Sequence, residues 1–207
     1  MPTTKVIVVG NPANTNALIA ARSCPNIPAR NFSALTRLDQ NRAVGIISER
    51  TGRKVTEIKN IPIWGNHSKT QYPDTFSAKI GDAPLRDVVE DHAWLDGDFI
   101  TKVQGRGGEI ISTMGKSSAA SAANAICDHV RDLFNGTSQG RFVSMAVMSD
   151  GNPYGVPDGL VYSFPVTIEN QEWKFVPDLP INDFMRERLE TSTAELIEER
   201  DMAFQSQ

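Results

Sequence analysis

Residues 5–16, KVIVVGNPANTN, combine an apolar strand, a polar turn and the start of a helix. The run from Lys5 to Val9 is continuously apolar and β-branched after its first residue, which is typical of a strand buried on both faces of a parallel sheet. Pro12 suits the first turn of a helix over about residues 14–22. The stretch therefore predicts a strand–helix unit of an open α/β sheet, in which ligands bind beyond the carboxyl ends of the strands.

A second informative stretch is LTRLDQNR at residues 35–42. A helix is predicted from here, with Thr36 as its cap and an end near Gly52. Asp39 and Arg42 stand three residues apart, so they share one face of that helix. A short strand over residues 32–35 precedes it.

The third stretch is IWGNHS at residues 63–68. A strand is predicted over residues 61–64, and Gly65 with Asn66 lets the chain turn. His67 is then expected at the carboxyl end of the strand, where open α/β sheets place their ligands.

The rest of the chain is predicted to be mixed helix and strand. Helices are expected at about residues 85–91, 98–114, 117–134 and 182–205, the second irregular at Gly105–Gly108. The last is capped near Asn182 and is expected to bury Phe184, Leu189, Leu196 and Met202 or Ala203. Strands are expected at 142–148, 161–169 and 172–176, with a hairpin turn at Asn170–Gln171. The predicted fold class is α/β.

Composition limits the partners of this chain. Its 207 residues are 40% hydrophobic and 22% charged, enough for one large domain or a domain plus part of another. The net charge of −4 and the pI of about 5.4 do not indicate the basic surface that binds nucleic acid. No apolar run is long enough to predict a membrane span. Cys24 and Cys127 have no partners at metal-ligand spacing, so no metal site is predicted and both are expected to be buried or half-buried thiols in a reducing compartment.

In their order and spacing, the three stretches resemble malate dehydrogenase of the cytosolic type, and the resemblance runs from about Lys5 to Phe204. It implies the remnant of a doubly wound (Rossmann) nucleotide-binding domain over residues 1–35. The mixed α+β C-terminal catalytic domain of the lactate/malate dehydrogenase family would follow over residues 36–207. The implied activity is the reversible oxidation of malate to oxaloacetate with NAD, by a cytoplasmic homodimer.

The resemblance also implies roles for the polar residues of the second and third stretches. His67 would give a proton to the ketone oxygen and take it back in malate oxidation, with Asp39 as the partner that orients its imidazole. Arg42 would hold the substrate carboxylate through two parallel hydrogen bonds. Asn11 would bond the substrate hydroxyl.

Cofactor contacts are implied at two places. The backbone of Val9, Gly10 and Asn11 would lie against the nicotinamide riboside, and Ser117 and Ser118 match a serine beside the nicotinamide ring. Serines near a helix start are more often caps, and that interpretation stays open.

Simple structural roles compete with several of these assignments. A histidine at a strand end is often only a hydrogen-bonded structural residue, and an Asp and an Arg three apart often form a surface ion pair of little consequence. Arg37 is expected to be a solvated helix residue, and Trp64 and Trp94 are expected to be core aromatics.

Two features leave the activity of this chain open. It contains no G-x-G-x-x-G turn after a strand, and Gly105–Gly108 lacks the preceding strand, so the chain resembles the C-terminal part of the enzyme. The alternative is a catalytically silent truncated subunit that acts only as a dimerisation or interaction module. A chloroplast-type NADP enzyme shares residues 64–67 and 117–121, and malate is favoured over lactate only by overall similarity.

Overall fold

The computed structural model describes residues 3–115 and 119–205. Its helices are α1 Ala13–Ser23, α2 Arg37–Thr51, α3 Leu85–Val88, α4 His92–Asp96, α5 Asp98–Met114, α6 Ala119–Asn135 and α7 Asp183–Phe204, with a 3-10 turn at Ala29–Asn31. Its strands are β1 Val6–Val8, β2 Phe32–Ala34, β3 Ile58–Lys59, β4 Ile63–Trp64, β5 Tyr72–Pro73, β6 Lys79–Ile80, β7 Ala83–Pro84, β8 Val143–Met148, β9 Val161–Glu169 and β10 Glu172–Phe175. Among the helices of these two ranges, none is long and apolar enough to cross a membrane.

The main sheet has five strands in the order β1-β2-β8-β9-β10. β1 and β2 run parallel, whereas the pairs β2–β8, β8–β9 and β9–β10 are antiparallel. The β9–β10 hairpin turns at Asn170 and Gln171, which both have positive φ, 52° and 64°. Those angles belong to the two-residue turn whose twist matches a hairpin, so the predicted turn is confirmed.

Two small sheets were not predicted from the sequence. β3, β6 and β7 form one, and β4 and β5 form the other. β4 lies within the strand expected over residues 61–64, but the other four strands have two residues each and no measurable period, so no sequence pattern indicates them. A bridge between Gly65 and Ser163 ties the end of β4 to the middle of β9.

The largest apolar cluster lies between the antiparallel strands and helices α5 and α7. Trp64 is fully buried there, in edge contact with Tyr154 and Phe164, which confirms it as a core residue. Trp94 is half-buried and packs against the same cluster. The last helix begins as predicted, with the Asn182 side chain accepting a hydrogen bond from the Met185 N–H.

β1 departs from the expected burial on both faces. Its three residues are only half-buried, and Val9 just beyond them is 40% exposed. In the described part of the chain, β1 pairs with β2 alone and forms the edge of the sheet. An edge strand leaves backbone groups and one flank open, and this accounts for the exposure.

The predicted cap of α2 was wrong in detail. Thr36 precedes the helix, but its hydroxyl bonds the Ser163 hydroxyl at 2.7 Å instead of a backbone N–H of the first turn. The irregularity expected at Gly105–Gly108 was also wrong, because α5 continues through all four residues. In the helix predicted over residues 85–91, α3 ends at Val88 and the Asp91 side chain caps α4 instead.

Several burial predictions were wrong. Cys24 and Cys127 are both exposed rather than buried. Arg37 is not a solvated residue, because its side chain is 16% exposed and forms an ion pair with Asp132. Of the alternatives Met202 and Ala203, Met202 is 59% exposed and Ala203 is half-buried, whereas Leu189 and Leu196 of the same helix are buried as expected.

Candidate functional site

The site is built around the turn that follows β4. Gly65 has φ 92°, a conformation that favours glycine, and its N–H and C=O pair with the backbone of Ser163 at 3.2 and 2.9 Å. A Cβ at Gly65 would lie 2.1 Å from the hydroxyl oxygen of Ser192 on α7. Glycine therefore allows α7 to come close enough for the Ser192 hydroxyl to accept the Asn66 N–H at 2.8 Å.

The structure brings His67 and Asp39 together. Nδ1 of His67 shares a short hydrogen bond with Oδ2 of Asp39, which lies in the first turn of α2. The Asp39 side chain is fully buried and that of His67 is 15% exposed. Burial alone would lower the pKa of His67, but the charge and hydrogen bond of Asp39 outweigh it, so the pKa of the imidazole lies above its ordinary value of 6.5.

Arg42 lies beside this pair on the same face of α2. Its Nη1 is 3.4 Å from Oδ1 of Asp39, and its side chain is 16% exposed. Its Nε is buried with no hydrogen-bond partner among the described residues. Arg42 also lines a cavity of about 400 Å³ whose other charged lining residues are Glu49, Lys102 and Arg106, and neither His67 nor Asp39 lines it. A guanidinium with a spare buried donor is suited to an anionic group.

Val9, Gly10 and Asn11 lie exposed at the carboxyl end of β1. A Cβ added at Gly10 would meet no atom within 4 Å, so this backbone is open to a flat ligand. Ser117 and Ser118, the other predicted cofactor contacts, lie outside the described residues.

Asn14 belongs to the site and was missed by sequence reasoning. It is fully buried in α1, and its Oδ1 accepts the backbone N–H of His67 at 3.0 Å. Its Nδ2 donates to the carbonyls of Val161 at 2.9 Å and Gly65 at 3.3 Å. Asn14 lies on the helix of the first sequence stretch, but nothing in its local pattern separates it from Asn11 or Asn16.

Two glutamates of α7 were missed as well. The buried Asn66 amide donates to Glu195 at 2.9 Å and to Glu199 at 2.8 Å. Glu195 also accepts from the hydroxyls of Ser68 and Thr70, at 2.5 and 2.6 Å. With Ser192, these glutamates are spaced three and seven residues apart along one helix face, and this polar strip on an otherwise amphipathic helix was the available signal.

Other parts of the described chain add no chemistry to this site. A second cavity, of about 510 Å³, lies between α2, β3, α6 and β8, and neither His67 nor Arg42 lines it. Within the same described ranges, no group of three or more His, Cys, Asp or Glu side chains could hold a metal ion.

Residues 36–207 match the lactate/malate dehydrogenase alpha/beta C-terminal domain, and the chain belongs to that family. Within the family, it is 56% identical to the cytoplasmic malate dehydrogenase of Homo sapiens over 205 residues, which are 97% of this chain and 61% of that protein. It is likewise 56% identical to the cytoplasmic malate dehydrogenase of Medicago sativa, over 96% of this chain and 61% of that protein.

Solved structures agree with this assignment. The malate dehydrogenase of Naegleria fowleri superposes with a TM-score of 0.89 at 43% identity, covering 95% of this chain and 60% of that one. The Trichomonas vaginalis lactate dehydrogenase in complex with NADH and oxamate superposes with a TM-score of 0.94 at 34% identity, covering 99% and 63%. The chain therefore spans about three fifths of the length of the relatives it matches.

Proposed function

We propose that this chain is the catalytic part of an NAD-dependent malate dehydrogenase, which interconverts malate and oxaloacetate. The observation that carries the proposal is the imidazole of His67, held through Nδ1 on a fully buried carboxylate. Relatives at 56% identity are named cytoplasmic malate dehydrogenases, which favours malate as the substrate and the cytoplasm as the location.

His67 is the proposed acid and base. Asp39 occupies Nδ1, so proton exchange with a substrate oxygen falls to Nε2. The raised pKa of His67 keeps more of the imidazole protonated near neutral pH, ready to donate to the ketone oxygen of oxaloacetate. In the reverse direction the neutral imidazole accepts the hydroxyl proton of malate, and Asp39 stabilises the resulting cation.

Arg42 is the proposed carboxylate clamp. Its contact with Asp39 is a single 3.4 Å approach from Nη1, so its other donors can serve a ligand. The full burial of Asp39 argues against the alternative of a surface ion pair. A planar guanidinium binds a carboxylate through two parallel hydrogen bonds, which fixes the orientation of the substrate relative to His67.

The exposed backbone at Val9–Asn11 fits the nicotinamide end of the cofactor, because the position of Gly10 leaves room for a flat ring. When bound, the cofactor would supply a hydride acceptor (NAD) or a hydride donor (NADH) for the substrate carbon. The Asn11 amide is the proposed partner of the substrate hydroxyl, and Ser117 and Ser118 stay proposed contacts by resemblance. The sequence holds no glycine-rich pyrophosphate turn, so the adenosine half of NAD depends on residues outside it.

The same resemblance supports a division of the chain at residue 35. Residues 1–35 hold the parallel pair β1–β2, whereas the strands after residue 36 are antiparallel, and the main sheet passes from one part to the other through the pairing of Ala34 with Ala146. We assign the first part to the edge of the nucleotide-binding domain and residues 36–207 to the catalytic domain.

A subunit that acts only through association is the second candidate. The open edge of β1 and the exposed Val9 favour it, because an unpaired strand edge is a template for another chain. A homodimer is expected in either case, and sedimentation of the purified chain measures it.

Substitution of His67 tests the proposed activity. In a full-length version that carries the N-terminal segment of the relatives, His67→Asn is expected to lower turnover by about 10²- to 10⁴-fold, the contribution of a positioned proton donor. NADH affinity is expected to stay within a few-fold. His92→Asn is the matched control, because His92 is exposed and its ring Nε2 bonds the Arg86 carbonyl, away from residues 65–68. A His67→Asn enzyme that retains a third or more of its turnover would overturn the proposal.

A further inference from the structure

The backbone of residues 65–68 is held from two sides by side chains that the proposed proton transfer does not use. Asn14 lies on one side, in α1. Ser192, Glu195 and Glu199 lie on the other, in α7. The two sides are joined, because Thr15, next to Asn14, donates a short hydrogen bond to Glu199.

Asn14 is the residue of this set with a direct bond to His67. Its three hydrogen bonds use one acceptor and two donors of the same amide, and each goes to a backbone group. One of those groups, the Val161 carbonyl, belongs to β9, so the bonds fix the position of the turn relative to the main sheet. A fully buried amide with all three bonds made holds its partners rigidly, since breaking one leaves an unpaired polar group.

We propose that Asn14 is a positioning residue for His67, which holds the backbone of the turn so that the imidazole stays on Asp39. This inference rests on the proposed function, because it concerns the same proton transfer. Asn14 does not touch the substrate in this role. It acts by fixing the position of the His67 backbone N–H. A displacement of about 1 Å at the reacting groups lowers the rate by about 10²-fold.

The side chain of His67 cannot do this alone. Asp39 fixes Nδ1, but a hydrogen bond at one end of a side chain leaves the main chain free to tilt. Asn14 fixes the other end at the backbone N–H, and Glu195 and Glu199 hold Asn66, the residue before it. With both ends held, Nε2 keeps one direction.

The experiment compares Asn14→Leu with Asn152→Leu. Leucine has the same branching and the same number of side-chain heavy atoms as asparagine and carries no charge, so it removes the three hydrogen bonds without adding a charge. Asn152 is a matched control, since it donates to two backbone carbonyls and accepts two backbone N–H groups within residues 149–156, away from residues 65–68.

The readout is the nuclear magnetic resonance titration of the three histidines in this chain. Asn14→Leu is expected to bring the pKa of His67 down towards about 6.5 and to abolish its Nδ1 proton signal, because the imidazole no longer stays on Asp39. His129 is expected to titrate as in the unaltered chain, which reports an intact fold. Asn152→Leu is expected to leave the titration of His67 and His129 unchanged.

In the full-length version, Asn14→Leu is expected to lower kcat by about 10²-fold while the KM for oxaloacetate stays within about threefold. A folded Asn14→Leu chain with an unchanged His67 titration overturns the positioning role alone. Activity that survives His67→Asn overturns the proposed function instead, so the two failures are distinguishable.

If Asn14→Leu does not fold, Asn14→Ser takes its place, because a short hydroxyl cannot reach all three backbone groups. Hydrogen exchange of the unaltered chain provides a measurement without any variant. The His67 amide is expected to exchange at least about 100-fold more slowly than a free peptide, as a bonded and shielded N–H does. Exchange at the free rate overturns the proposal.

Discussion

The turn at residues 65–68 and the turn at residues 9–11 both follow strands and both are proposed to face the ligands, yet they are built very differently. The first is tied to α1, α2, β9 and α7 by buried hydrogen bonds, and its Asn66 is only 2% exposed. The second is exposed, at the open edge of β1, and Val9 is 40% exposed. Under the proposed function, the group that transfers the proton is held by buried contacts of this chain, whereas the turn proposed to meet the cofactor has few.

The largest effect is expected for cofactor binding, when the exposed turn at residues 9–11 has no glycine-rich segment beside it. The chain as it stands is expected to show no saturable NADH binding in the micromolar range and no reduction of oxaloacetate. Pyrophosphate binding in this class needs the glycine turn and the N–H groups of the following helix, and the sequence contains neither before Val6. Fluorescence titration measures NADH binding, and an absorbance assay measures the reduction of oxaloacetate. Micromolar binding with turnover would show that residues 9–11 suffice.

A smaller effect is expected when Arg42, beside the buried Asp39, is replaced by a side chain that cannot form two parallel hydrogen bonds. In the full-length version, Arg42→Lys is expected to weaken transition-state binding by about 1.5–3 kcal/mol, the value of hydrogen bonds to charged groups. Steady-state kinetics with oxaloacetate measure it. Arg131→Lys is the matched control, because Arg131 also pairs with an aspartate three residues away but is 59% exposed. Equal kinetics for both variants would reduce Arg42 to an ion-pair partner of Asp39.

The smallest effect concerns the contribution of His129 to stability, near the β1–β2 pair that leads to the exposed turn. His129 of α6 is buried and bonds Ser33. Ser33 belongs to β2, which is the one strand that pairs with β1 in the described residues. Burial, and then the charge of Arg37, lower the pKa of His129 to about 4. The folded state holds His129 in its neutral form. Its contribution to the free energy of unfolding is therefore fully present above about pH 6.5 and is lost as the pH falls towards 4.

Urea unfolding measures this loss. Between pH 7 and pH 5, the unaltered chain is expected to lose about 2 kcal/mol more stability than His129→Gln, whose side chain does not titrate. His92→Gln, at an exposed histidine, is the control and is expected to follow the unaltered chain. An identical loss in His129→Gln would mean that this histidine is not held neutral in the fold.

The elements with a clear period could be predicted from the sequence. β9, the hairpin turn at Asn170–Gln171 and the limits of α7 follow from a run of β-branched and aromatic residues, turn chemistry and a capping asparagine. The two-residue strands other than β4 could not, because a segment of two residues is too short to show a period. The continuity of α5 through four residues with three glycines shows that neighbouring contacts override local propensity.

Half of the candidate site was also predictable. His67, Asp39 and Arg42 were found by their spacing and resemblance, and the structure places them together. Asn14 was not found, because its partners are 51 to 147 residues away along the chain. The burial of Cys24 and Cys127 was misjudged for a related reason, since composition gives an average preference and not the face of a helix.

The close approach of Ser192 to Gly65 sets the order in which the site can be completed. The bond from Asn66 to Ser192 joins residues 126 positions apart, and the bond from Asn66 to Glu199 spans 133. On the ribosome, the turn with His67 emerges long before the last helix has been synthesised. Until α7 docks, this turn lacks one of its two supports, so the proton-transfer geometry is among the last parts of the molecule to form.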